Sequence, residues 1–207
     1  MKTPDTTVDR LFLVARRRFA ERGYAATSVR DITSRAKANL GAITYHFGSK
    51  EALYQQVLVS LVEPMANTLI RECNQPGPAL DRIGALVAQY YRHLHQNPDL
   101  PRFMLQILAE HGPLPRVLAE LQNRLRGALV GLIERGQREG DIRPGPAPLL
   151  AVSVIAQPIF FGLARRVVAQ IGRMDPDDPA VVEVALRHAS AIVRQGLAII
   201  PQGGIPA

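Results

Sequence analysis

The chain has 207 residues, 47% of them hydrophobic, which excludes wholesale disorder and leaves room for one large or two small domains. Its formal net charge is +7, and residues 1–60 hold ten Lys/Arg against five Asp/Glu. Positive charge therefore gathers in the first third, as expected of an electrostatic footprint on a phosphate backbone. The single cysteine, Cys73, excludes an intramolecular disulfide, fits a reducing compartment, and at helical spacing reads as a packing residue.

From the N-terminus, Lys2 to Asp9 is polar and no apolar core follows, so no signal peptide is expected and a cytoplasmic protein is. Strand signals are nearly absent. Helical periodicity runs almost throughout and breaks at Gly23, Gly48-Ser49, Gln75 to Pro78, Asn97-Pro98, Gly112-Pro113, Gly140 to Pro148 and Met174 to Pro179. The pattern predicts an all-α chain of about nine helices. Residues 201–207 (PQGGIPA) read as a disordered tail.

In the first helix Val8, Leu11, Phe12, Ala15 and Phe19 form one apolar stripe, and Gly23 ends it. Thr27-Ser28 then offers an N-cap, with Asp31 three residues on at the spacing of a capping box. The second helix buries Val29, Ile32 and Ala36. A short turn, Lys37-Ala38-Asn39, leads to a two-turn segment, Leu40 to Phe47, whose Leu40, Ile43 and Phe47 share a face. Ser49 caps a longer fourth helix.

Two short helices across a tight turn, behind a supporting helix, follow the helix-turn-helix plan, in which the second helix enters the major groove. Gly41 and Ala42 are small enough for close backbone approach. Tyr45 and His46 offer hydrogen-bonding and stacking groups, and Thr44 a hydroxyl and a methyl suited to thymine. Leu40 either covers a thymine methyl or packs inward. Lys50 and the Thr27/Ser28 end of the second helix are placed to meet phosphates.

Phe-Ala-Glu-x-Gly-Tyr at 19–24, Thr27 to Ile32, and the run Gly41 to Tyr54 with its Tyr-His-Phe-x-Ser-Lys-Glu-x-Leu core together resemble the N-terminal domain of TetR-family transcriptional regulators. The detailed likeness covers about residues 8–55. It implies a homodimer, usually a repressor, with three N-terminal helices for DNA. A C-terminal domain of about six helices would hold the dimer contact and a ligand that weakens DNA binding. Residue by residue, it carries DNA-facing positions onto Thr27, Ser28, Arg30, Asn39, Leu40, Gly41, Ala42, Thr44, Tyr45, His46 and Lys50. The sequence departs from the family's pattern at Lys37-Ala38-Asn39, where a Gly-Val-Ser type turn is frequent, and at Thr44, where Tyr or Leu is common.

The expected organisation is a helix-turn-helix domain over residues 1–50 and a helical ligand-binding and dimerisation domain over 51–200. Tyr90, Tyr91, Phe103, Met104, Gln157, Phe160 and Phe161 are candidates to line a pocket, each of them equally readable as core. Ala147 to Ala164 carries no charge over 18 residues, short of the roughly 20 a spanning helix needs, with Gln157 and Pro158 in its middle. The last two long helices, read over Ala147–Gly172 and Asp178–Ile200, are apolar over so wide an arc that they need burial on more than one side. A four-helix dimer interface supplies it better than lipid does.

No enzyme signature, cofactor motif or metal site is expected. His93 and His95 diverge by about 200° on a helix, His111 stands alone, and no nucleotide-binding or nucleophile motif appears. The predicted partners are an operator in double-stranded DNA, a second copy of the chain and a small-molecule effector, with no membrane. A ligand-binding regulator that activates, or whose DNA role is secondary, is the alternative.

Overall fold

A computed structural model describes residues 6–109 and 115–199, with the side chains of 108, 109, 165, 166 and 168 left out. The described residues form ten helices and no strand. They are α1 (Thr7–Arg22), α2 (Val29–Arg35), α3 (Ala42–Phe47), α4 (Lys50–Cys73), α5 (Ala79–Gln96), α6 (Asp99–Ala109), α7 (Arg116–Glu139), α8 (Ala147–Leu163), α9 (Arg165–Gly172) and α10 (Pro179–Leu197). The chain divides into two compact units, Met1–Pro64 with Asn97–Glu120 and Met65–Gln96 with Leu121–Ala207. The expectations for His111, the Gly112-Pro113 break and the 201–207 tail lie outside the described residues.

In the first unit, local chemistry sets the helix ends. Thr6 caps α1 by accepting from Asp9 N–H, and Gly23, at φ 79°, closes it with a bond to the Phe19 carbonyl. Ser28 caps α2 and Ser49 caps α4 in the same way. The α1 stripe buries Leu11, Ala15 and Phe19 fully, while Val8 and Phe12 stay half-buried. Phe19 meets the edge of Tyr54 at 5.0 Å, and Tyr54 in turn meets Phe103 of α6 at 6.3 Å. Arg16 pairs with Asp99, and Gln106 donates to the Ala20 carbonyl, so α6 is tied to α1 by polar bonds as well as packing.

In the second unit α5 packs against α8 and α10. Ile83, Leu86, Val87 and Tyr90 of α5 are buried, as are Leu150, Ala151 and Val154 of α8 and Leu186, Ala189, Val193 and Leu197 of α10. Gly84 permits a close approach: a Cβ there would lie 2.9 Å from Arg194 Cδ, and Ser190 Oγ donates to the Gly84 carbonyl at 3.0 Å. The loop before α8 holds helix ends. Asp141 accepts from Leu80 N–H at the start of α5, and Arg143 donates to the Leu197 and Gly196 carbonyls at the end of α10.

The structure amends three expectations. The segment read as one helix from Ala147 to Gly172 is two, divided at Ala164. Pro158 lacks the N–H that would bond back one turn and Gly162 is a weak helix former, so the segment has least helical support just before its break. That division makes ten helices of the expected nine. Asp31 does not reach back to complete a capping box; its carboxylate accepts instead from Arg18 and Arg35.

Among the described residues no helix is long and apolar enough to cross a membrane.

Candidate DNA-binding site

The site begins with α3, a helix of only six residues. So short a helix is not stable by itself and depends on its anchors. Ile43 and Phe47 are those anchors, both buried. The opposite face is open: Thr44 and His46 are exposed, and Tyr45 is 85% exposed, its ring edge-on to His46 at 4.8 Å. Gly41 precedes the helix, and a Cβ built there would meet nothing within 4 Å. A phenol, imidazole and hydroxyl without hydrogen bonds, fanned over the exposed arc of a buttressed helix with Tyr45 at its centre, can read base edges by hydrogen bonds.

Two predicted residues stand otherwise than expected, and a third is left open by the sequence. Ala42, the first residue of α3, is only 7% exposed and counts with Ile43 among the buried residues of the helix. Thr27 is fully buried: its hydroxyl donates to the Gly23 and Arg18 carbonyls, at 2.8 and 3.2 Å, and so holds the end of α1 rather than facing outward. Leu40, read both ways from sequence, is 56% exposed and does not join the core.

Lys50 has a structural task alongside any contact with DNA. Its ammonium donates to the carbonyls of Tyr24 and Thr27, each at 2.9 Å, and lies 4.1 Å above the centre of the Tyr24 ring. It thus pins the α1–α2 loop to the start of α4, with one N–H left over. Ser28 is exposed, its hydroxyl engaged as the α2 cap, and Asn39 and Arg30 are exposed.

A charge network absent from the expected site joins α1 to α2. Arg18 of α1 is buried and donates to Asp31 and Glu21, each at 2.6 Å, and Arg35 donates to the other Asp31 oxygen at 2.8 Å. Arg35, then Arg18, hold the Asp31 carboxyl below the usual carboxylate range. Asp31's position at the start of α2 was visible in the sequence, but its partner thirteen residues away was not.

The seven pocket candidates are divided between the two units. Phe103 is buried and Met104 half-buried in the first unit, while Tyr90, Tyr91, Gln157, Phe160 and Phe161 belong to the second. Burial there pushes the Tyr90 phenol well above its ordinary range. Tyr91 and Phe161 lie 6.2 Å apart, Phe160 is exposed, and the Gln157 amide oxygen is buried without a hydrogen bond. A cleft of about 190 Å³ in the second unit is lined by Met65, Thr68, Leu69, Gln89, Arg92, His93 and Gln96, none of them among the seven.

Comparison with known proteins bears on both units. Residues 11–57 match the family model described as bacterial regulatory proteins, tetR family, and residues 80–193 match the tetracyclin repressor-like C-terminal domain. The chain belongs to the TetR family. The family is one of DNA-binding transcriptional regulators rather than enzymes.

This TetR-family chain is 42% identical over 77 residues to the transcriptional repressor Rv3405c of Mycobacterium tuberculosis, a match covering 34% of the chain and 39% of that relative. It is 29% identical over 167 residues to the repressor NicS of Pseudomonas putida, covering 76% of each. The ketosteroid transcriptional regulator KstR2 of Mycobacterium tuberculosis shares its fold, with a TM-score of 0.74 at 20% identity over 96% of the chain and 98% of KstR2.

Proposed function

We propose that the protein is a homodimeric repressor that binds a palindromic operator and is released by a small apolar or amphipathic ligand. The observation that carries the DNA-reading part is the outer face of α3, where Thr44, Tyr45 and His46 are exposed over the buried anchors Ile43 and Phe47. Gly41, Asn39 and Leu40 extend that face, and Ser28, Arg30 and Lys50 flank it as phosphate contacts. Paired recognition helices call for half-sites about one helical turn apart, roughly 34–36 Å. The description of relatives as repressors favours repression.

Dimerisation is supported by α8 and α10. Each buries one face within its own unit, yet Leu149, Val152 and Phe160 of α8 and Val184 and Ile192 of α10 remain exposed. Large apolar side chains left exposed on two neighbouring helices favour an interaction surface, and a second copy of the same helices would cover it as a four-helix interface. The buried, unbonded amide oxygen of Gln157 favours an effector that offers a hydrogen-bond donor within an otherwise apolar surround. In this reading the N-terminal helices serve DNA, the remainder serves dimerisation and the effector, and the protein works in the cytoplasm.

Selection of duplexes from a random-sequence pool, followed by sedimentation of the protein alone and with the selected duplex, tests the reading. The expected outcome is a palindromic site bound by a dimer. No enrichment, or a monomer at micromolar concentration, would refute it.

A further inference from the structure

The turn between α2 and α3 closes α2 with two paired bonds. Ala38 N–H donates to the Thr33 carbonyl at 2.9 Å, and Lys37 N–H donates to the Ser34 carbonyl at 3.2 Å. The residue that closes such a turn takes a left-handed backbone, which glycine adopts at no steric cost. Here that residue is Lys37, at φ 52°. We propose that Lys37 is a phosphate-contacting residue of the DNA-binding face, held by the turn at a position that backbone geometry alone would give to glycine. The proposal rests on the DNA-binding reading and adds a residue to it.

Lys37 is exposed, and its side chain makes no hydrogen bond or ion pair among the described residues. Two acids of α1 and α2 are engaged by other cations: Asp31 by Arg18 and Arg35, Glu21 by Arg17 and Arg18. A cation at the end of α2 would complement the helix dipole, but that end already has one: Arg10 Nε donates to the Ala36 carbonyl at 3.2 Å. Arg173, also left-handed, differs in this respect: it closes α9, whose last turn holds no other basic residue. Local stability therefore accounts for Arg173 and not for Lys37.

Position supplies the reason. Asn39, Leu40 and Gly41 are exposed and lead directly into the open side of α3, and Lys37, also exposed, stands just before them across the half-buried Ala38. A compact ammonium on a flexible stem suits a phosphate, and such a contact holds register on DNA without reading sequence.

The test uses the full chain and the variants K37G and K37R. The probes are a duplex selected by the wild type from a random-sequence pool and a mixed-sequence duplex of equal length, titrated across a salt series. K37G should melt no lower than wild type and bind both duplexes several-fold more weakly. Its log K against log salt should be shallower by about 0.9 for each phosphate that is no longer neutralised. K37R should keep both affinity and slope.

Unchanged affinity and slope in K37G, with the wild type selecting a duplex, would overturn the role of Lys37 and leave the DNA-binding reading standing. A loss confined to the selected duplex, an equal loss in K37R, or a lower melting temperature in K37G would also overturn it. A wild type that selects no duplex would overturn both.

Discussion

Arg18 of α1 donates to Asp31 of α2 across 2.6 Å, and the same carboxylate accepts from Arg35 at 2.8 Å. The pair joins the supporting helix to the first helix of the DNA-binding pair. The orientation of α2, and of the α3 face beyond it, therefore rests partly on a charge.

Asp31→Asn should lower the melting temperature at pH 7, because Arg18 loses a carboxylate and keeps only Glu21. The folded-state pKa of Asp31 is depressed, by Arg35 first and then Arg18. Its stabilisation is present above the unfolded value of about 3.9 and lost as pH falls through the lower folded value. The gap between variant and wild type should hold at neutral pH and narrow below about pH 4. Melting curves from pH 3 to 7 check this; a gap that is constant with pH would count against it.

Tyr45→Ala and His46→Ala should leave the melting temperature nearly unchanged, since both side chains are exposed. Each should weaken binding to a selected duplex by about 1–3 kcal/mol, the usual worth of a base contact. Binding to mixed-sequence DNA should change far less. Titration of both duplexes decides it, and equal losses would remove the residue from base reading.

Val152 is 63% exposed on α8, whereas Val154, two residues on, is fully buried. Val152→Glu should yield a folded monomer in sedimentation at micromolar concentration. Val154→Glu should fail to fold, because an unpaired buried carboxylate costs several kcal/mol. A dimeric Val152→Glu would dismiss this face of α8 as the interface.

The Cys73 thiol is pushed up to about 12, by burial first and then by the neighbouring Glu72 charge. At pH 8 it should react with an aromatic disulfide reagent only as fast as the second unit opens, and fully in denaturant. Immediate labelling of the native protein would contradict this.

Much of the first unit was legible in order. Thr27-Ser28 announced the start of α2, Ser49 the start of α4 and Gly23 the end of α1, because caps and left-handed closures act within one helical turn. The α1 stripe was legible for the same reason: 3.6-residue spacing puts Leu11, Ala15 and Phe19 on one side whatever lies opposite. The division at Ala164 was less legible, since no single residue there is a strong breaker. Phe103 and Tyr90 looked alike as apolar aromatics, and only packing assigned them to different units.

The sequence by itself determined the all-helical character, most of the helix ends, and a short third helix with Tyr45 and His46 exposed. Those features follow from bonds and periodicities that close within a few residues. Only the tertiary structure decided which polar groups turn inward. Thr27 holds carbonyls four and nine residues back, Lys50 reaches 23 and 26 residues back to the α1–α2 loop, and Asp31 is shared with Arg18 of another helix. A buried donor or acceptor must find a partner, and which partner it finds depends on the element packed over it rather than on its neighbours in the chain.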